Sequence, residues 1–165
     1  MPHIPLDLRA IDYATDEGIV VRACRAFLDV RFIGQNGSLI PFECFVDPGA
    51  PFCVLPYSLW RGRRVSWTRL GTRLRRIGNP VPGVLTWQGA RCDLGQTSLY
   101  LVDLEAGHRT GPYQVTAKFV RQRLAPAMEN AAILGMNFLA DNNLRLELEG
   151  IMGDLSGDLS VPASY

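Results

Sequence analysis

The sequence predicts an all-β domain carrying one short helix near its C-terminal end. Three observations lead there. Runs of β-forming residues of strand length recur from Ile19 onward, separated by clusters of Gly, Pro and Asn. Gly34-Gln35-Asn36-Gly37 sits between two such runs as a hairpin signal. Only Gly135 to Asn142 has the short amphipathic pattern of a helix.

Taken in order, residues 1–18 mix prolines and charges and read as an N-terminal arm or a short edge strand. Residues 19–150 form the domain proper. Ile19 to Ala26 and Phe27 to Ile33 are strands, followed by the hairpin turn and the strand Leu39 to Val46. Tyr57 to Trp60 is a helix-like turn. Residues 61–76 hold seven arginines and are expected to be a solvated face or loop. Gly78-Asn79-Pro80-Val81-Pro82-Gly83 is a dense turn cluster leading into Val84 to Trp87, with Gly89 behind it, and so predicts a mobile hairpin. The strand Thr97 to Val102, a loop at Ala106 to Pro112 and the strand Tyr113 to Val120 follow. After the helix comes an alternating strand, Leu144 to Leu148. Residues 151–165 are a Gly- and Ser-containing tail, open to either a dimer sheet or disorder.

Composition narrows the function classes. The 165 residues, 47% of them hydrophobic, suit one domain with one core, and no internal repeat is present. Seventeen basic residues against sixteen acidic ones leave a formal charge of +1, so no global field draws the protein to nucleic acid or to a membrane. Neither partner is expected. No window approaches the roughly 20 apolar residues of a membrane helix, and no secretion signal is recognisable, so a cytoplasmic protein is expected. Cys24, Cys44, Cys53 and Cys92 show no metal-ligand spacing and are expected as reduced core residues. His3 and His108 have no ligand partners at suitable spacing, so neither a metal nor a cofactor is expected. Cys53 lies in an apolar run without a basic neighbour, which argues against thiol catalysis. Asp141 and Asn142 are expected to end the helix, and Asp93 to face solvent.

Two segments carry the candidate chemistry. In Phe45-Val46-Asp47-Pro48-Gly49-Ala50 an apolar strand delivers a lone carboxylate into a tight turn, then resumes through Cys53-Val54-Leu55. A carboxylate at the end of a buried strand is costly unless it is satisfied or used. In Ala132-Ile133-Leu134-Gly135-Met136-Asn137-Phe138-Leu139 an apolar strand stops at a glycine that opens a helix, where close packing against another backbone is one reason for glycine. Taken alone, Asp-Pro-Gly reads better as a plain β-turn capped by Asp47.

Together these segments resemble the retropepsin-like aspartic proteases, whose pattern is apolar-apolar-Asp-(Thr/Ser)-Gly-Ala followed far downstream by Ile-(Ile/Leu)-Gly-x-(Asp/Asn)-x-Leu. The resemblance spans about residues 20–150. It implies an acid-protease barrel with a flap hairpin and one short C-terminal helix. It further implies an endopeptidase acting as a homodimer on an extended peptide or protein substrate, with Asp47 from each subunit sharing a proton and activating water. Pro48, Gly49 and Ala50 would form the catalytic loop, Ile133, Leu134 and Gly135 would flank it, and Val81, Pro82, Gly83 and Val84 would belong to the flap. The chain departs from the pattern at Pro48, which has neither the hydroxyl nor the N–H of the family's Thr or Ser. It departs again at Pro51 and Met136, where retroviral members hold an acid and an arginine. Loss of both charges together can be nearly neutral. The alternative implied is an inactive dimer of the same fold that binds peptide or acts as a scaffold.

Overall fold

The computed structural model describes residues 3–130, 132–151 and 154–160. The chain is predominantly β-sheet. Strands β1 (His3–Pro5), β2 (Asp7–Ala14), β3 (Val20–Ile33) and β4 (Leu39–Val46) open it, and β5 (Cys53–Leu55) follows the Asp47 turn. A π-helical turn (Ser58–Gly62) leads to β6 (Thr68–Gly71), β7 (Arg73–Leu74), β8 (Gly83–Val84) and β9 (Thr86–Trp87). The long hairpin β10 (Ala90–Asp103) and β11 (His108–Val120) precedes helix α1 (Pro126–Glu129), β12 (Ala132–Leu134) and helix α2 (Met136–Asp141). Strands β13 (Arg145–Ile151) and β14 (Asp154–Ser160) complete the described chain.

Nine strands join one sheet in the order β2-β3-β4-β12-β5-β11-β10-β6, with β9 paired to β10. Because β10 also pairs with β3 over Leu99 to Leu101, the hydrogen bonding from β3 to β10 returns to the strand from which it set out. Inside lies the core. Ala26, Leu28, Val30 and Phe32 alternate inward along β3, and Leu99 and Leu101 do so along β10. They meet Leu55, Phe119, Leu134 and Phe138, all fully buried. Each such large side chain contributes about 1.5–3 kcal/mol, so the interior of this ring holds the fold together.

Several boundaries differ from the sequence reading. Ile19 to Ala26 and Phe27 to Ile33 form one strand, β3, whose first six residues are exposed on both faces because they pair only with the edge strand β2. Cys24 lies on that outer ribbon and is exposed, so only Cys44, Cys53 and Cys92 are core residues, and all four are free thiols. The expected loop at 106–112 shortens, since β11 starts at His108. Val84 to Trp87 divides into β8, paired with β7, and β9, paired with β10. Helix α1, one turn opened by Pro126, was not foreseen; its four residues are too few to show a helical period. The first and last described strands share a sheet: β14 lies between β1 and β13 in a three-stranded sheet, with Leu159 buried. Asp93 is buried, not solvent-facing: edge strand β6 pairs with β10 from Leu94 onward and brings Arg69 to 3.2 Å, with Arg121 at 3.8 Å. Among the described residues no helix is long and apolar enough to cross a membrane.

Candidate functional site

The site is built where three short apolar strands cross. β12 lies between β4 and β5, parallel to β4 through Cys44–Ala132, Phe45–Ile133 and Val46–Leu134, and antiparallel to β5 at Ile133–Val54. The loop joining β4 to β5 therefore has to pass over the end of β12, and Asp47 sits in that loop. The Asp47 N–H donates to the Leu134 carbonyl at 3.0 Å, continuing the ladder one step beyond β4. The Met136 N–H donates to the Ala50 carbonyl at 2.8 Å, tying the far side of the loop to the start of α2.

Between these ties, residues 47–50 close a β-turn through a 3.1 Å bond from the Ala50 N–H to the Asp47 carbonyl. Pro48 occupies the second turn position, where its fixed φ is suited and no donor is needed. Asp47 Oδ1 accepts the Gly49 N–H at 2.9 Å, so the carboxylate caps its own turn. A Cβ on Gly49 would stand 3.2 Å from that same oxygen. Glycine at this position thus leaves the carboxylate room.

Gly135 has a different reason. Its backbone is ordinary extended chain, φ −87° and ψ −175°, but a Cβ there would lie 2.6 Å from the Ala50 carbonyl oxygen and 2.7 Å from the Phe52 carbonyl group. Only a residue without a side chain lets β12 approach the loop so closely. Below it, the Cys53 thiol accepts the Gly135 N–H at 3.4 Å. Burial pushes the Cys53 thiol up to about 12, so it serves as a neutral packing group and not as a nucleophile. Asn137 locks the arrangement: its Oδ1 accepts the Cys53 N–H at 3.0 Å, and its Nδ2 donates to the Thr116 carbonyl at 2.6 Å. The sequence pattern included Asn137 without assigning it this bridging task.

Above the loop is a cavity of about 520 Å³. Its floor is Val46, Asp47, Pro48, Ala50 and Ile133, and one wall is Leu8, Cys24, Arg25 and Ala26 from the β2–β3 ribbon. Trp87 and Gln88, at the turn from β9 to β10, form the other side. Among the described residues, Asp47 and Arg25 are the only charged ones lining it. Arg25 rests over the Phe45 ring at 5.2 Å and has no ion-pair partner among the described residues. Asp47 is half-buried, and Gly49 is the single donor from the described residues that reaches its carboxylate. A carboxylate so placed is held in position yet open to a ligand.

The structure thus brings Asp47, Pro48, Gly49, Ala50, Ile133, Leu134 and Gly135 together. It places Val81, Pro82, Gly83 and Val84 elsewhere: they belong to the β7–β8 hairpin and none lines the cavity. Trp87, Gln88 and Arg25 do line it and were not singled out in the sequence. The signal for the first two was the pair Gln88-Gly89, both at positive φ in a two-residue hairpin turn. Arg25, one residue before β3 begins to pair with β4, reaches the cavity over the Phe45 ring, a long-range placement that no local pattern displays. Pro51 and Met136 are both exposed beside the loop. Among the described residues no group of three or more His, Cys, Asp or Glu side chains is placed to hold a metal ion. The chain matches no protein-family model, no curated protein and no solved structure.

Proposed function

We propose that this chain is one subunit of a homodimeric aspartic endopeptidase of the retropepsin type. The observation that carries the reading is the threading of β12 between β4 and β5, with Gly135 packed against the backbone of the Asp47 loop. A simple capped β-turn requires no third strand beneath it. Further support comes from the ring of pairings from β3 to β10, which suits the family's barrel, and from α2 following β12 at once. The exposed excursion from β6 to β9, with the β7–β8 hairpin inside it, is the segment we assign as the flap.

One loop supplies one carboxylate, and the chemistry needs two. In the proposed dimer the two Asp47 side chains meet at a two-fold axis. Two carboxyl groups so close cannot both ionise cheaply, so they share a proton. The ionised member takes a proton from water as the water oxygen attacks the peptide carbonyl carbon; the protonated member gives its proton to the carbonyl oxygen. The tetrahedral intermediate then collapses: the carboxyl that took the water proton gives it to the nitrogen as the C–N bond breaks, and the other carboxylate takes a hydroxyl proton as the new carboxylic acid forms, which restores the shared proton. The apolar cavity walls accept substrate side chains, and an extended backbone pairs with the sheet edges around them.

Pro48 favours a second reading, a dimer that binds extended peptide without turnover, because it removes a donor and a hydroxyl from the loop that would hold the two subunits together. One experiment separates the two. The purified chain and Asp47→Asn are incubated with a diverse peptide mixture from acid to neutral pH, cleavage is followed by mass spectrometry, and the oligomeric state of both is recorded. Cleavage by the wild-type dimer alone is the expected result. Dimers of both that bind peptide and cut none would leave the second reading, and a monomer would remove both.

A further inference from the structure

The charge of this chain is segregated. Between Asp47 and Asp93 lie eight arginines and no carboxylate, leaving nine basic residues against all sixteen acidic ones elsewhere. Three of the eight, Arg61, Arg63 and Arg64, converge where the π-helical turn and the residues just after it meet the β3–β4 turn. Two adjoining hollows lie there. The first, about 400 Å³, is lined by Gln35, Asn36, Ser38, Arg63 and Arg64. The second, about 310 Å³, is lined by Gln35, Trp60, Arg61, Arg64 and Trp67. Arg64 and Gln35 belong to both, and none of these residues lines the Asp47 cavity.

Among the described residues no carboxylate lines either hollow, and none of the three arginines has an ion-pair partner. Clustered cations without counter-charge repel one another, so a bound anion is favoured there. The guanidiniums are partly anchored with donors to spare. Arg63 gives one Nη1 bond to the Pro41 carbonyl at 2.7 Å, and Arg64 gives Nε to Gln35 Oε1 at 3.3 Å. The backbone beneath is fixed by bonds from the Gln35 N–H to the Arg64 carbonyl and from the Ser66 N–H to the Ile33 carbonyl. Arg64 itself sits in the left-handed region, φ 58°. A bulky residue there is strained where glycine would be relaxed, and such strain clusters at ligand sites. In the second hollow, Trp67 is stacked on Phe119 at 4.4 Å and Trp60 is held by its Nε1 bond to the Val120 carbonyl, so both rings are rigid walls.

We propose that the two hollows together bind a phosphate monoester carried on a flat ring, a ligand of the mononucleotide class. The phosphate lies among Arg63, Arg64, Asn36 and Ser38, where planar guanidinium forks match its oxygens. The ring enters the second hollow beside Trp60 and Trp67, which pack edge-to-face at 5.2 Å, and lies against the Arg61 and Arg64 guanidinium planes, which favour a π-system. The inference stands independently of any role for Asp47.

The test uses the full chain at constant ionic strength, with adenosine monophosphate, inorganic phosphate, adenosine and chloride as probes. Binding is read by calorimetry, tryptophan fluorescence and thermal denaturation. Adenosine monophosphate is expected to bind at least about tenfold more tightly than inorganic phosphate, and phosphate more tightly than chloride, a step of about 1.4 kcal/mol for each tenfold. The nucleotide and adenosine perturb tryptophan fluorescence, whereas phosphate does not. Arg63→Ala lowers nucleotide affinity by at least about tenfold. Arg64→Gly removes phosphate binding yet leaves the ligand-free midpoint at or above that of the wild type, because glycine relaxes the positive φ. Equal effects of phosphate and chloride would overturn the site. So would nucleotide binding no tighter than phosphate, or an Arg64→Gly protein less stable without ligand, which would make Arg64 a structural residue.

Discussion

Gly135→Ala probes the feature on which the site depends. Its added Cβ would stand 2.6–2.7 Å from the Ala50 and Phe52 carbonyl groups, well inside contact distance. Those atoms belong to backbone already tied down by the Met136 N–H and the β12 ladder, so they cannot swing aside as a side chain would. Overpacking of this kind costs about 1–3 kcal/mol, and the rigid partners place the substitution at the upper end. The extended φ and ψ of Gly135 suit alanine, which restricts the unfolded chain and returns about 0.4–1 kcal/mol. The net expectation is a loss of about 2 kcal/mol, or a midpoint lower by roughly 4–8 °C for a domain of this size. Thermal and urea denaturation of the purified variant measure it. A midpoint equal to or above that of the wild type would refute the close approach of β12 to the loop.

Three further outcomes are expected. Asn137→Leu strands the Cys53 N–H and the Thr116 carbonyl, at a cost of about 2–3 kcal/mol; an unchanged urea midpoint would show that Asn137 does not bridge them. Asp93→Ala removes a buried carboxylate whose partners Arg69 and Arg121 are themselves half-exposed, so the loss should be smaller, about 1–2 kcal/mol by denaturation; no loss would mean the pairing contributes nothing. At neutral pH a thiol reagent should modify Cys24 alone in the native protein, and rapid labelling of Cys44 or Cys53 would contradict their burial. The same burial fixes an alkaline trend: an unfolded thiol ionises near about 8.5, whereas Cys53 holds its proton up to about 12 and Cys44 is also raised. The folded state then binds more protons than the unfolded one, so stability falls as pH rises above about 8.5, by up to about 1.4 kcal/mol per pH unit for each thiol. Urea midpoints at about pH 8 and pH 10 should fall less steeply for Cys53→Ala than for wild type.

Much of this architecture is written locally. The strand Leu39–Val46, the Gly34–Gly37 turn and the helix after Gly135 follow from short-range periodicity and from glycine placement, and all three are found. The reason for Gly135 was also anticipated as a close backbone approach, and the Ala50 and Phe52 carbonyls supply it. What failed locally failed for a nonlocal reason. Asp93 looked like a surface acid until β6 brought Arg69 against it, and Cys24 looked like a core thiol until β2 and β3 ran out beyond the body.

The sequence by itself determined the all-β class, the loop that presents Asp47 and the glycine that must follow β12, because turn chemistry, alternation and a missing Cβ act over a few residues. Only the tertiary structure decided that β12 threads between β4 and β5, that Arg25, Trp87 and Gln88 wall the Asp47 cavity, and that Arg61, Arg63 and Arg64 meet the β3–β4 turn. These are matters of strand register and long-range pairing. Their free energy comes from burying surfaces far apart in the chain, and no local pattern records which distant surface each will meet.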